Sequence, residues 1–204
     1  MKLKLYKKQL LAQKKRYFFL ISITIISIII GFIFFFLISD GDKKIVTDLL
    51  DTFFISITEN NIDKKSMFFQ GLLNSTTTIL LIWILGISII GIPLVLLLYL
   101  IKCFILGFSI SSIIVSYGLK GIFRAILYTF PHQLINITIL LLLTFYSVSF
   151  SIKLVQHLFF HKIINFKIVT RRYIKILIFV LIISILSLLY EIFISPYFLQ
   201  LLIS

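Results

Sequence analysis

Ionisable side chains are rare inside the long apolar stretches of this sequence. The few that occur there limit the catalysis or binding that the chain could perform. Between residues 76 and 117 the only charged residue is Lys102. A lone ammonium inside the bilayer costs about 2.5 kcal/mol or more and usually marks a functional or paired group. Either Lys102 is buried against a carbonyl, another protein or a hydroxyl such as Ser109 or Thr77, or it extends to an interface. Glu191 is the one acid within an expected span, the last one. It is expected at the outer end of that span, at a depth that does not match Lys102.

The sequence lacks the usual patterns of a catalytic or metal site. His157 and His161 are four residues apart, as ligands on one helix face can be, but no nearby Cys, Asp or Glu completes a zinc site. His132 follows Pro131 at an expected helix end, where a structural role is favoured over general base catalysis. No HExxH motif and no carboxylate pair occurs in the apolar segments. We therefore expect no catalytic residue, no metal and no cofactor.

The composition is that of an integral membrane protein. Hydrophobic residues make up 60% of the 204 residues and charged residues only 13%, whereas soluble domains contain about 25% charged residues. In a soluble chain the formal charge of +13 would suggest a nucleic-acid partner. Here we attribute the charge to orientation in membrane lipid, and we expect no nucleic acid to bind.

Five apolar segments are long enough to cross a bilayer, which takes about 20 helical residues. They predict an all-α, polytopic fold that forms a single membrane domain over residues 1–204. The expected spans are about 17–39, 72–90, 92–117, 134–152 and 174–192.

The second and third spans are expected to form a tight hairpin. Gly91-Ile92-Pro93 would make the turn, with Pro93 in the first turn of the new helix, where its missing N–H costs nothing. In the alternative, the chain breaks at Lys102, which shortens the third span and makes Pro93 a kink inside a helix. We favour the first arrangement.

Two amphipathic segments lie between the spans. Residues 45–58, in the region that holds six of the seven acids, predict a helix on the outer membrane face. Residues 119–130, stopped by Pro131, predict an interfacial or re-entrant helix before the fourth span. The apolar stripe of the first segment either covers the protein's own outer surface or docks an extracytoplasmic partner; it consists of Leu49, Leu50, Phe53 and Phe54.

The distribution of basic residues predicts the orientation. Thirteen of the 20 Lys and Arg residues lie in segments 1–16 and 153–175, and six lie in segments 40–66 and 118–131. Because basic residues accumulate on the cytoplasmic side, the amino end is expected inside and the carboxyl end outside the cell membrane. Segment 17–39 exceeds the apolar core of a signal peptide, about 7–15 residues, so we expect it to be retained.

The central part of the chain resembles the stage II sporulation protein M family. The length of about 200 residues and the five-span layout agree with that family, and the likeness is best over residues 69–133. The residues that carry it are Asn74 in the helix that runs to Gly86, the Gly91-Ile92-Pro93 triplet, the run from Leu100 to Phe108, and Pro131-His132-Gln133.

The resemblance implies a non-enzymatic membrane scaffold of endospore formation. Such a scaffold would position peptidoglycan-degrading partners, the stage II sporulation proteins D and P, in the mother-cell septal membrane for septal thinning and engulfment. Self-association is left open. Besides the outer stripe, the residues expected to act in assembly are Asn74, Gly91, Pro93, Lys102, Gly107 and Pro131.

Transport is the competing function. A small permease subunit would use Lys102 and the interrupted apolar segment as a substrate site, since broken spans are typical of transporter binding sites. Against transport, the sequence shows no internal repeat, and we expect no second charge within the membrane. A third interpretation, an intramembrane enzyme, would require His132 and a partner that the sequence does not reveal.

Overall fold

The structure, a computed structural model, describes residues 2–58, 63–124, 130–161 and 164–197. Within these ranges the chain is almost entirely helical and contains no strand. The helices are α1 (Lys2–Leu37), α2 (Asp40–Thr58), α3 (Lys64–Gly86), α4 (Gly91–Arg124), α5 (Phe130–Phe160) and α6 (Phe166–Leu189). A π-helical turn, Tyr190–Ile194, extends α6, and the helical backbone continues to residue 197. The predicted all-α fold is confirmed.

Five of the described helical segments are long and apolar enough to cross a membrane, as predicted. They are Lys14–Leu37, Lys64–Gly86, Gly91–Leu119, Phe130–Phe159 and Phe166–Tyr197. Consecutive spans run in opposite directions, so the start of α3, the end of α4, the start of α5 and the end of α6 lie on the same side as α2. We call this side the α2 side. The chain is a multi-pass membrane protein.

Two spans begin earlier than their apolar runs because polar side chains cap their helices. Asp63 Oδ1 accepts a hydrogen bond from the Lys65 amide at 3.1 Å at the start of α3. Asn165 Oδ1 accepts one from the Ile168 amide at 3.4 Å at the start of α6. A cap satisfies backbone N–H groups that have no partner within the helix. The helices therefore begin at these caps, well before the expected residues 72 and 174.

The hairpin between α3 and α4 turns at residues 87–90. Gly91 begins α4, and Pro93 is its third residue, in the first turn. A Cβ atom at Gly91 would overlap the carbonyl oxygen of Leu85, so the turn has no room for a side chain there. Lys102 lies within α4, and the alternative break at Lys102 does not occur.

Helix α1 lies directly against α4. A Cβ atom at Gly31 would overlap the carbonyl oxygen of Phe104, and one at Gly107 would overlap the carbonyl oxygen of Ile28. Small residues of this kind let membrane helices approach closely. Gly107 was expected to act in assembly with other proteins; in the structure it allows the close packing of α4 on α1 within this chain.

Helix α2 packs on the α2-side end of α4. Phe54 is 4% exposed and packs with Ile113, and Leu50 and Phe53 cover the same cluster. Leu49 points away and is 66% exposed. Leu50, Phe53 and Phe54 therefore cover the protein's own α4, the first of the two alternatives for this stripe. A stripe that faces a neighbouring helix has the same apolar pattern as one that faces a partner.

Helix α4 is interrupted at Gly118, where φ is 58° and ψ is −134°. Glycine adopts such a conformation without the steric cost of a Cβ atom. Leu119 and Phe123, in the short helical segment that follows, are exposed. This segment is the first part of the predicted interfacial helix 119–130, whose residues 125–129 lie outside the described residues.

Candidate functional site

A polar cavity of about 240 Å³ lies between α3, α4, α5 and α6. Three of these helices contribute residues from their α2-side halves, so the cavity lies in that half of the bundle. Asn74 is exposed at its edge, and Lys102 and Gln133 are half-buried, so the cavity reaches the protein surface. Its polar lining consists of Asn74, Ser75, Thr78, Lys102, His132, Gln133, Asn136, Ser184 and Glu191.

The Lys102 ammonium reaches this cavity near the middle of the bundle. Its Nζ donates to Asn74 Oδ1 at 3.4 Å. Asn74 is ten residues into α3, about 15 Å from the start of a helix about 34 Å long. The ammonium therefore lies near mid-height of the helical bundle. Of the partners that the sequence left open, the structure shows a carbonyl oxygen, that of the Asn74 side-chain amide, and not the hydroxyl of Ser109 or Thr77.

His132 and Glu191 form the second polar contact in the cavity. His132 Nε2 lies 3.3 Å from Glu191 Oε1, and the two side chains are only 5% and 22% exposed. Ser187 Oγ donates to the His132 carbonyl oxygen at 3.2 Å. Together these contacts tie the start of α5 to the end of α6. Glu191 belongs to the π-helical turn Tyr190–Ile194, a local form often found at functional sites.

The sequence predicts different depths for Lys102 and Glu191. Both side chains line the same cavity. Glu191 lies in the π-helical turn, six residues before the end of the helical segment Phe166–Tyr197.

The family follows from comparison with known proteins. The family model of stage II sporulation protein M matches residues 19–196, which include most or all of each span and every residue of the cavity. This chain belongs to the stage II sporulation protein M family. No curated protein and no solved structure matches it. The family makes it a sporulation-related membrane protein.

The residues expected to act in assembly lie in different parts of the structure. Asn74 and Lys102 meet in the cavity. Gly91 and Pro93 shape the hairpin between α3 and α4, and Pro131 is the second residue of α5, next to His132. The structure does not bring these groups together as one surface.

Three polar residues of the cavity were missed in the sequence. Gln133, Asn136 and Ser184 lie on spans α5 and α6 and line the cavity. Amides and hydroxyls inside transmembrane helices often face other helices or a water-filled space. That signal was available for Asn136, because it lies within the predicted span 134–152.

The cavity is equipped for binding. An ammonium, three amides and the hydroxyls of Ser75 and Ser184 supply hydrogen-bond donors, and Glu191 supplies a carboxylate that contacts His132. Among the residues that the structure describes, no group of three or more His, Cys, Asp or Glu could hold a metal ion.

Proposed function

We propose that this chain is a non-enzymatic membrane scaffold of endospore formation. It positions peptidoglycan-degrading enzymes, the stage II sporulation proteins D and P, at the septal membrane for septal thinning and engulfment. The observation that carries the proposal is the match to the stage II sporulation protein M family over residues 19–196. The bundle of membrane-long helices supports an anchoring role.

The docking surface in this proposal is the outward face of α2, which we define as Ile45 and Leu49. These residues are one helical turn apart and are 59% and 66% exposed, while the opposite face of α2 packs on α4. The basic residues concentrate at the other end of the bundle, which favours an extracytoplasmic α2. Enzymes that act on the cell wall would meet α2 on that side.

A pull-down from sporulating cells tests the scaffold. The detergent-solubilised chain, tagged at its amino end, should recover cell-wall hydrolases. Ile45→Ser combined with Leu49→Ser should reduce recovery about tenfold or more, since a few buried apolar contacts dominate most interfaces. The matched control is Ile90→Ser, which removes an isoleucine that is 77% exposed in the turn between α3 and α4.

Two results would contradict this proposal, the first the scaffold itself and the second its docking surface. One is recovery of no hydrolase by the parent chain under conditions that keep it monodisperse. The other is equal recovery by the parent and the Ile45→Ser, Leu49→Ser variant, which would exclude the outward face of α2.

Transport is the second candidate, and the polar cavity is the observation that favours it. A permease subunit would use Lys102 as a substrate contact. Lys102→Met separates the two functions, because it should abolish transport through the cavity and leave hydrolase recovery unchanged. A variant that loses hydrolase recovery and remains monodisperse would place Lys102 in assembly instead.

A further inference from the structure

The positive charge in the cavity is incompletely matched. An ammonium can donate three hydrogen bonds, and Lys102 Nζ makes one long contact, 3.4 Å, to a neutral amide. In the part of the chain that the structure describes, no carboxylate oxygen lies within 4.0 Å of this ammonium. A charge held in the middle of a membrane bundle is costly unless it is paired.

The negative charge of the cavity is already engaged. Glu191 Oε1 lies 3.3 Å from His132 Nε2, and this contact joins α5 to α6. A cationic ligand would have to compete with that contact. An anionic ligand could accept hydrogen bonds from Lys102, whose ammonium has donors not used within the described residues. The unmatched charge in the cavity is therefore the positive one.

Neutral donors line the cavity together with Lys102. They are the amide of Asn136 and the hydroxyl of Ser75. The Thr78 hydroxyl also lines the cavity, but it donates to the Asn74 carbonyl oxygen at 2.9 Å. Carboxylate and phosphate oxygens accept hydrogen bonds from such groups, and contacts with a charged partner are about twice as strong as neutral ones. Apolar side chains complete the wall, including Ile105 and Leu140.

We propose that this cavity is a binding site for a small anionic group, a carboxylate or a phosphate, whose charge is held by Lys102. Its volume of about 240 Å³ accommodates such a group but is below the range of about 300–1,000 Å³ typical of drug-sized ligands. The site does not depend on the scaffold role, because it lies inside the bundle and the outward face of α2 lies outside it.

Binding is measured on the full chain in phosphatidylcholine nanodiscs, with inorganic phosphate and acetate as probes. A ligand that binds only the folded state raises the unfolding temperature, and Trp83, the one tryptophan, reports unfolding. Chloride at equal ionic strength is the reference. Phosphate or acetate should stabilise the parent chain beyond chloride.

Three lysine variants make the test specific. Lys102→Met should weaken binding roughly thirtyfold or more, since truncating one partner of a buried charge contact is costly. Lys102→Arg keeps the charge and should retain binding. Lys153→Met removes another half-buried lysine, on α5 and outside the cavity, and should bind as the parent does.

The anion could be a lipid headgroup or a free ion, and the same experiment with a second lipid distinguishes the two. If the group is a lipid headgroup, phosphatidylglycerol will remain bound to the parent after purification, will be lost from Lys102→Met, and will exclude inorganic phosphate. If the group is a free anion, phosphate or acetate will bind in phosphatidylcholine alone. The proposal is overturned if no probe binds the parent, or if Lys102→Met binds as tightly as Lys153→Met.

Discussion

At the scale of single residues, the contact between His132 and Glu191 holds together two helix ends that the sequence treats as unrelated. The two residues are far apart in the chain, yet their side chains meet at 3.3 Å and are largely buried. A buried hydrogen bond to a charged group contributes about 1.5–3 kcal/mol. This contact therefore stabilises the α2-side half of the bundle as well as forming part of the cavity.

Glu191→Gln should lower the free energy of unfolding by about 2 kcal/mol, because it removes the charged partner of His132. Unfolding in detergent, followed by Trp83 fluorescence, measures the loss. Asp48→Asn, which changes an exposed acid of α2, should stay within about 0.5 kcal/mol of the parent. Equal stability of the two variants would show that the contact does not stabilise the bundle.

The sequence identified Lys102 as the anomalous residue but not its partner. Its partner, Asn74, lies on a different helix. Lys102 stands alone in a long apolar stretch, and this is visible at once. Helices that are apolar nearly all round give no periodic signal for the face they turn to their neighbours. The rotation of α3 that brings Asn74 to Lys102 is set by packing.

At the scale of helices, α3 depends on side chains from α5 and α6 at its carboxyl end. The last carbonyl groups of a helix have no partner within it, and in a membrane each must be satisfied. Tyr173 Oη donates to the Trp83 carbonyl at 2.9 Å, and Ser151 Oγ donates to the Gly86 carbonyl at 2.6 Å. The end of α3 is thus fixed by its neighbours.

Tyr173→Phe should lower the free energy of unfolding by about 1 kcal/mol or more, since it leaves the Trp83 carbonyl without that donor. Tyr146→Phe is the control, because the Tyr146 hydroxyl makes no hydrogen bond to the residues that the structure describes. Thermal unfolding in detergent compares the two. A loss in both variants, or in neither, would contradict the capping role.

The crossing of α1 and α4 requires glycine at the contact. Gly107→Ala should destabilise the fold by about 1–3 kcal/mol, because the added methyl group would overlap the Ile28 carbonyl oxygen and force the helices apart. Gly41→Ala should be neutral or stabilising, since its nearest contact is Ser39 Oγ at 3.8 Å. A Gly107→Ala variant as stable as the parent would show that the helices can separate without cost.

The amphipathic stripe of α2 shows what periodicity can and cannot predict. It correctly indicates a helix, and α2 covers the whole predicted segment 45–58. It does not show what the helix packs against, because lipid, a partner and α4 all select apolar side chains. The burial of Phe54 against Ile113 resolves this.

At the scale of the whole molecule, the charge pattern predicts that α2 faces the outside of the cell. Single cysteines test this in a Cys103→Ala background; Cys103 is itself fully buried. A membrane-impermeant maleimide added to intact cells should label Asp48→Cys on α2 and should not label Ile90→Cys at the opposite end. Labelling at position 90 alone would reverse the orientation and would exclude wall hydrolases as partners of α2.

The number of spans could be predicted from sequence because apolar length alone determines it. Their ends could not, because caps such as Asp63 and the π-helical turn at Glu191 extend helices beyond their apolar cores. The existence of the cavity could not be predicted from the sequence. It requires four helices to turn their few polar residues toward one another, which only the packed bundle specifies.

Site-specific photo-crosslinking in sporulating cells tests the scaffold most directly. A photoreactive amino acid at position 49, on the outward face of α2, should form crosslinks to cell-wall hydrolases. The same amino acid at position 90, equally apolar and exposed but at the opposite end of the bundle, should not. Crosslinks to hydrolases from position 90, or none from position 49 in cells that complete engulfment, would contradict the account.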